Sequence, residues 1–492
     1  MKPIASLHRS LLALAALALP GSLFPAPVAA EVWLSPGDAH ARSASQYLAD
    51  QPGSTGLAME WPQWAQSGDG GRADDSFAAG LRQWVAKQEQ QAALRVELRA
   101  ATDTPLIRTF ADESRSQGEI GARARFGGDR CGALLQIRVV ADPDDDQSLR
   151  PDGTVAGCKL GNWRLSAGWE ERWWGPGWNG SLILGTNARP TPGFSITRDV
   201  VTPSSLPVLE WFGEWRATAF VSRMESSRRD VRRPLLLGAR ISFRPNRVVE
   251  IGISRTAQMC GKGRPCGLGT FKRMLIGHDN RGDNTSAGEE PGNQLGGFDL
   301  RLVSPWKHVP IAVYGQMIGE DEDSGMPSKF LALYGVEAWR PLQSGALVRA
   351  TVEFASTSCS WSRPVPLYDC AYVQEIFAVE GYRYRGRSLG HSYDNDAEIW
   401  SGVLLYTRPQ GISWQLTVHS GRLNRGGAPS DPRNTVSPVS ARLEAARLEA
   451  TGHFAGGHWT AGVGYEDVEP RVGNNRDDLR VQISWWRDFG SR

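Results

Sequence analysis

Three tryptophans, Trp173, Trp174 and Trp178, follow Arg172 and precede Asn187 and Arg189 in one stretch, residues 172–191. Gly175, Pro176 and Gly177 interrupt it. Proline removes a backbone donor and glycine is conformationally free, so the stretch is a turn rather than a helix interior. Indole faces stack on the C–H faces of sugars, while arginine forks and an amide take hydroxyls or acidic groups. The chemistry indicated is recognition of a charged glycan, whose carboxylates accept paired N–H···O bonds from arginine. The same residue types also suit a buried aromatic plug, or a network that braces the inside of a larger structure. Arg264, between Cys260 and Cys266, is a secondary candidate, as is the loop 279–293.

Other groupings carry less. Asp142, Asp144 and Asp146 alternate with Asp152 close behind, but Gln147 stands where an EF-type calcium loop needs glycine. A solvated loop is expected there, and also at Asp321, Glu322 and Asp323. His453 and His458 flank a short link and have no third metal ligand. Glu170 and Glu171 are adjacent, so in a strand they point to opposite faces and cannot form a general-acid pair. No nucleophile elbow, metalloprotease helix or phosphate-binding loop occurs. The expectation is no catalysis, no cofactor and no metal.

The elements that must position the turn follow from periodicity. Residues 1–30 read as a secretory signal: Lys2, His8 and Arg9, an apolar run over 11–19, and a small-residue cleavage site at Val28, Ala29 and Ala30. The run is too short to span a bilayer and is followed by Pro20 and Gly21. The chain holds 55 basic and 53 acidic residues. Losing Lys2 and Arg9 with the signal leaves 53 of each, and a neutral chain without a basic block argues against nucleic acid.

Residues 31–91 form a small helical module, with Ala41, Ala44, Tyr47 and Leu48 at helical spacing and Phe77, Leu81, Trp84 and Val85 on one face of a second helix capped by Asp74, Asp75 and Ser76. From 92 onward the period becomes two. Leu94, Val96 and Leu98 alternate with Arg95, Glu97 and Arg99; Leu235, Leu237, Ala239, Ile241 and Phe243 with Gly238, Arg240, Ser242 and Arg244. Val348, Ala350, Val352 and Phe354 alternate with Arg349, Thr351 and Glu353; Ile412, Trp414, Leu416 and Val418 with Ser413, Gln415, Thr417 and His419. A soluble sandwich would turn the apolar face inward and a membrane barrel would turn it outward, and periodicity alone does not separate them. Tight connections (244–247, 408–411) and long polar ones (259–296, 422–437) favour the barrel, as does an aromatic-rich final strand facing Val481, Ile483, Trp485 and Phe489 to one side. The expected strand number lies between 16 and 20.

The six cysteines form three local pairs, Cys131/Cys158, Cys260/Cys266 and Cys359/Cys370, read as disulfides of an exported protein. A hairpin of 134–141 and 154–160 around the loop 142–153 would bring Cys131 and Cys158 to the same sheet end. Cys260/Cys266 and Cys359/Cys370 would each staple a long outer loop.

These segments resemble the capsule assembly Wzi family. The resemblance rests on 161–163, the turn 172–178, 181–184 and 187–190, then 250–258, 278–280, 291–295 with Phe298 and Asp299, and 382–387 with Gly390 and His391. It implies an all-β transmembrane antiparallel barrel of about 18 strands at 92–492, with a periplasmic helical module at 31–91. It further implies a monomer in outer-membrane lipid that binds and helps attach or organise capsular or secreted polysaccharide, lectin-like and without catalysis. The cysteine pairs, the residues Met259 and Cys260, and the stretch 142–153 depart from the family pattern, so the glycan would differ too. The alternative is an outer-membrane diffusion channel for small solutes, which Arg240, Arg244, Arg349 and Glu353 would suit as lumen charges. A barrel enzyme acting on lipid or glycan is a third reading without a supporting motif.

Overall fold

Leu237 and Val352 turn outward and Arg240 and Arg349 inward, and that inversion of the soluble rule fixes the architecture. In this computed structural model, described for residues 33–490 apart from 52, 53, 55, 65–75, 90–93, 129, 199, 205, 206, 276–291, 307, 324, 325, 375, 378 and 428–433, the sheet closes as an 18-strand antiparallel barrel. The signal segment and most of the loop 279–293 lie outside the described residues.

The wall begins with β1 (Leu94–Ala101), β2 (Gly118–Gly127) and β3 (Cys131–Ala141). β4 is broken into Leu149–Arg150 and Val155–Leu160, both paired with β3. Then come β5 (Trp163–Gly168), β6 (Gly193–Arg198), β7 (Glu214–Arg223), β8 (Leu235–Asn246), β9 (Val249–Met259) and β10 (Gly292–Val303). β11 (Ile311–Asp323), β12 (Met326–Pro341), β13 (Leu347–Ser356), β14 (Glu398–Thr407) and β15 (Ser413–Leu423) follow. β16 (Ala441–Phe454), β17 (Gly457–Pro470) and β18 (Arg476–Phe489) complete it, and β18 pairs back onto β1. Consecutive strands pair throughout, as short hairpin connections require. Pairing around the closed wall gives its backbone partners within the protein, the condition for crossing lipid with strands.

The outer wall carries exposed apolar side chains on strand after strand: Leu98, Ile137, Ile196, Ile253, Phe298, Val352, Trp400, Trp414, Leu416 and Ile483. The alternate positions, among them Arg240, Asp299, Arg301, Gln316, Glu337 and Thr417, are buried in the lumen. This apolar-out, polar-in pattern is that of a membrane barrel. Tight turns such as 455–456 lie at one end, and 169–192, 224–234 and 357–397 form long connections at the other.

All three expected disulfides form: Cys131–Cys158, Cys260–Cys266 and Cys359–Cys370. The register sets Cys131 directly opposite Cys158 across β3 and β4. Cys359–Cys370 staples the long connection 357–397, as expected, but does so from a buried position. Cys359 is fully buried in the largest apolar cluster and Cys370 packs against that cluster, because the connection 357–397 folds inward over the lumen. The bridge therefore braces an interior layer. Asp321, Glu322 and Asp323, expected in a loop, belong to β11, because strand pairing continues as far as Asp323 opposite Met326. The connection 259–296, expected to be long and polar, contains a helix (Leu268–Leu275).

The helical segment packs against the inside of the barrel. α1 (Ala39–Ala49) and α2 (Ser76–Glu89) pack together, and α1 enters the short-turn end of the lumen. Asp38 caps α1 by accepting from Ala41 N–H (2.9 Å). Asp50, at its end, takes both arms of Arg301 (2.9 and 2.8 Å). Arg349 of β13 reaches Ser43, and His40 meets Thr407 of β14 (2.9 Å). A helix surrounded by a polar wall need not be amphipathic, and α1 buries Arg42, Ser43 and Gln46 as well as Ala41, Ala44 and Tyr47.

Candidate functional site

The connection 169–192 leaves β5 at the long-loop end and folds inward. Its turn at 175–178 meets α1 inside the barrel. Gly175 and Gly180 are required by close approach: a Cβ on Gly180 would lie 1.9 Å from the His391 ring, and Gly175 has φ +145° against Gln316. Trp173 and Trp174 pair in register with Trp61 and Glu60, tying the turn to the N-terminal segment.

Each candidate ligand-contacting residue in this stretch is buried. Trp174 is 0% exposed, and Trp173 and Trp178 are 2%. Trp173 packs edge-on against Phe110 (5.2 Å) and donates from Nε1 to the Gly177 carbonyl. Trp174 packs against Phe220, and its carbonyl accepts from Gln316 Nε2 (2.8 Å). Trp178 Nε1 donates to Glu337. Arg172 pairs with Glu170 (2.5 Å) and lies over Phe220 (4.2 Å). Asn187 donates to the Ser388 carbonyl (3.0 Å). Arg189 grips Asp152 with two bonds (2.7 and 2.8 Å) and Asp145 with a third (2.5 Å). No indole here presents a face to a sugar. The indoles are interior, the bracing arrangement that these residue types also suit. Among the described glycan-contact candidates, Arg264, on the outer loop, remains partly exposed.

Two residues outside the turn organise it. Arg42 of α1 donates to the carbonyls of Pro176 (2.7 Å) and Gly177 (2.8 Å), with its guanidinium over Trp178 (4.2 Å) and Phe110 (4.5 Å). Burial pulls this guanidinium down to about 10, which still leaves it charged at neutral pH. Glu353 of β13 accepts from Trp178 N–H (2.5 Å), Asn179 N–H and Nδ2 (both 2.8 Å), and Tyr314 O–H (2.9 Å). The turn is therefore held from below by a cation on its carbonyls and from the wall by a carboxylate on its donors.

From above it is held by the connection 357–397. Tyr372 and Tyr382 donate to the carbonyls of Leu182 (2.8 Å) and Ile183 (3.0 Å). The Cys359–Cys370 bridge ends two residues before Tyr372 and ties that tyrosine's segment to the outer end of β13. His391 lies against Gly180, and burial lowers it to about 3, so it is neutral throughout the physiological range. Burial pushes the Glu171 carboxyl up to about 7, with Asp112 adding like charge. The four charges that would suit a channel are all engaged: Arg240 with Asp299, Arg244 with Asp50, Arg349 with Glu337, and Glu353 with the turn. Cavities of about 290 and 550 Å³ remain at the short-turn end, beneath α1 and α2.

The remaining acidic and histidine groupings resolve simply. Asp152 belongs to Arg189, and Asp144 lies 3.6 Å from Arg387. His453 and His458 do approach, with ring centroids 4.1 Å apart, and Trp486 stacks on His458. Among the described residues no cluster of three or more His, Cys, Asp or Glu is placed to hold a metal.

Asp396, where 357–397 rejoins the wall, gives a pH-dependent prediction. Burial, with Asp369 and Asp394 near, raises its carboxyl to about 6 despite bonds from Asp369 N–H (2.9 Å) and Asn395 Nδ2 (2.8 Å). An acid raised in the folded state binds more protons folded than unfolded. Stability therefore falls as pH rises from the ordinary aspartate range, about 4, to about 6, and stays low above. Asp396→Asn, at a left-handed φ of +59° that asparagine tolerates, is expected to gain about 1–2 kcal/mol at pH 7 and nothing at pH 4. Thermal unfolding at the two pH values checks this; equal shifts at both would contradict it.

Residues 87–482 match the family model described as capsule assembly protein Wzi. Over 251 residues, half of this chain, the sequence is 33% identical to an uncharacterized 55.8 kDa protein in the cps region of Klebsiella pneumoniae; the match spans 49% of that relative's own length. Among solved structures, 93% of the chain superposes on all of Wzi, described as an outer membrane protein involved in group 1 capsule assembly in Escherichia coli and a carbohydrate-binding β-barrel. The TM-score is 0.80 at 24% identity, a likeness of fold. OccK3 of Pseudomonas aeruginosa superposes over 80% of the chain and 95% of its own, with a TM-score of 0.43 and 12% identity.

Proposed function

Because the chain belongs to the capsule assembly Wzi family, matched over residues 87–482, we propose that it is a non-catalytic outer-membrane barrel that binds capsular or secreted polysaccharide and helps hold it at the cell surface. That family match is the observation that carries the reading. The barrel works as a monomer, with α1 and α2 toward the periplasm and the long connections outside.

Contact with glycan falls to the outer loops, since the aromatic turn is interior. Arg232 and Arg233 are exposed where 224–234 returns to the wall, and the Lys262 N–H donates to the Arg232 carbonyl (2.9 Å), which brings the loop of Arg264 alongside. The Cys260–Cys266 disulfide limits that loop's freedom and so its ordering cost on binding. Arginine forks there suit the carboxylates of an acidic glycan. The buried turn holds the loop bases in place.

Cells lacking the protein should release glycan into the medium. The combined change Arg232→Ala, Arg233→Ala and Arg264→Ala should reproduce much of that release while the barrel still folds. Glycan retention measured on washed cells decides it: equal retention with and without the gene would refute the function, and full retention by the triple variant would refute this contact surface.

A further inference from the structure

The helix inside the connection 259–296, α3 (Leu268–Leu275), lies on the outside of the barrel. Thr270 and Met274 face the wall and are buried. Met274 forms a small apolar cluster with Ala257, Met259 and Cys260, backed by Leu235 and Leu237. Those wall residues occupy the outward positions of β8 and β9, where the register pairs Leu235 with Met259 and Leu237 with Ala257. α3 thus covers the top of the apolar face that lower down is left bare.

Its height is fixed by one contact. Arg255, also outward on β9, donates to the helix's last carbonyls, Met274 (2.8 Å) and Leu275 (3.4 Å). The next outward residue below Arg255 is Ile253, paired with Phe298, and both belong to the exposed apolar belt. Two residues of strand separate these levels, about 7 Å. The end of α3 therefore sits at the upper edge of the belt.

Three apolar side chains remain uncovered on α3: Leu268 (89% exposed), Phe271 (38%) and Leu275 (55%). At positions i, i+3 and i+7 they form one stripe, beside the wall-facing residues and away from Arg273. Residues 260–275 contain four cations, Lys262, Arg264, Lys272 and Arg273, and no acid. An apolar stripe flanked by cations at a belt's edge is the composition of a helix lying in a bilayer interface. Cys260–Cys266 fixes the chain immediately before it.

We propose that α3 is an interfacial anchor. Leu268, Phe271 and Leu275 enter the outer leaflet, and Lys272 and Arg273 meet the phosphates of an anionic glycolipid there. The occupant is lipid because the stripe continues the belt and because the charge carried by residues 260–275 is wholly positive. The anchor seats the basic outer loops at the level of the lipid headgroups.

The test uses the full-length protein in native outer membranes containing phosphorylated lipopolysaccharide, with p-benzoylphenylalanine placed singly at Leu268, Phe271 or, as a belt control, Ile253. Irradiation should give lipopolysaccharide adducts at all three positions. Lys272→Gln with Arg273→Gln should lower the adducts at Leu268 and Phe271 roughly thirtyfold, the size expected of two cations at an anionic surface, and leave that at Ile253 unchanged. An adduct at Ile253 alone overturns the anchor while leaving the membrane barrel intact. Helix positions that cross-link only within the chain, to a second copy or to another protein also overturn it. Silence at Ile253 as well would overturn the anchor together with the membrane reading.

Discussion

Glu353→Ala is expected to cost about 4 kcal/mol or more and to reduce the yield of folded barrel sharply. The carboxylate accepts four bonds inside the lumen, from Trp178 N–H, Asn179 N–H, Asn179 Nδ2 and Tyr314 O–H. Each buried donor left without an acceptor costs about 1–3 kcal/mol. Glu353→Gln is the sharper variant. One amide oxygen still accepts two of the donors, but the NH2 group now faces the other two, so destabilisation of about half the alanine value is expected. The temperature at which the folded band disappears from unheated gels measures both. If glutamine were tolerated without loss, Glu353 would be a lumen charge of the kind a channel needs, and its role as a clamp on the turn would be wrong.

Arg42→Ala is expected to convert a silent barrel into a conducting one. Arg42 bridges α1 to the turn through the carbonyls of Pro176 and Gly177, and its cation lies over the rings of Trp178 and Phe110. A buried hydrogen bond from a charged donor contributes about 1.5–3 kcal/mol, and the ring contacts add to it. Without them α1 keeps Asp50 on Arg301 and His40 on Thr407, so it stays in the mouth but no longer closes against the turn. Planar-bilayer recordings should show no stable openings for the natural protein and frequent openings for the variant. Steady conductance of the natural protein would favour the diffusion-channel alternative.

The wall was legible because its alternation is a local pattern with a single period. Ile412 to Val418 and Val348 to Phe354 carry the apolar stripe that the barrel turns outward. The cysteine pairing was equally legible, since each pair closes a short or hairpin-sized segment. The direction of a loop was not. A glycine-rich turn with three indoles reads as a surface platform, and only the surrounding strands show that it folds inward. The same holds for Cys359 and Cys370, whose spacing gives the bond but not its place inside the barrel. Hydropathy also fails inside a polar lumen. Arg42, Arg301, Arg349 and Arg383 are among the largest fully buried side chains, and none would be placed in a core by residue type. The helical stripe of Ala41, Ala44, Tyr47 and Leu48 located α1 but gave no sign that its opposite face is buried as well. α3 was hidden by Gly267 and Gly269, which lower helix propensity where outward packing of Met274 supplies the missing stability.

Titration of the detergent-purified protein with acidic surface polysaccharide, followed calorimetrically at two salt concentrations, bears most directly on the lectin-like assignment. Saturable binding that weakens as salt rises, with the polymer recovered at its original length, is the predicted result. Absence of saturable heat, or recovery of shortened polymer, would contradict it.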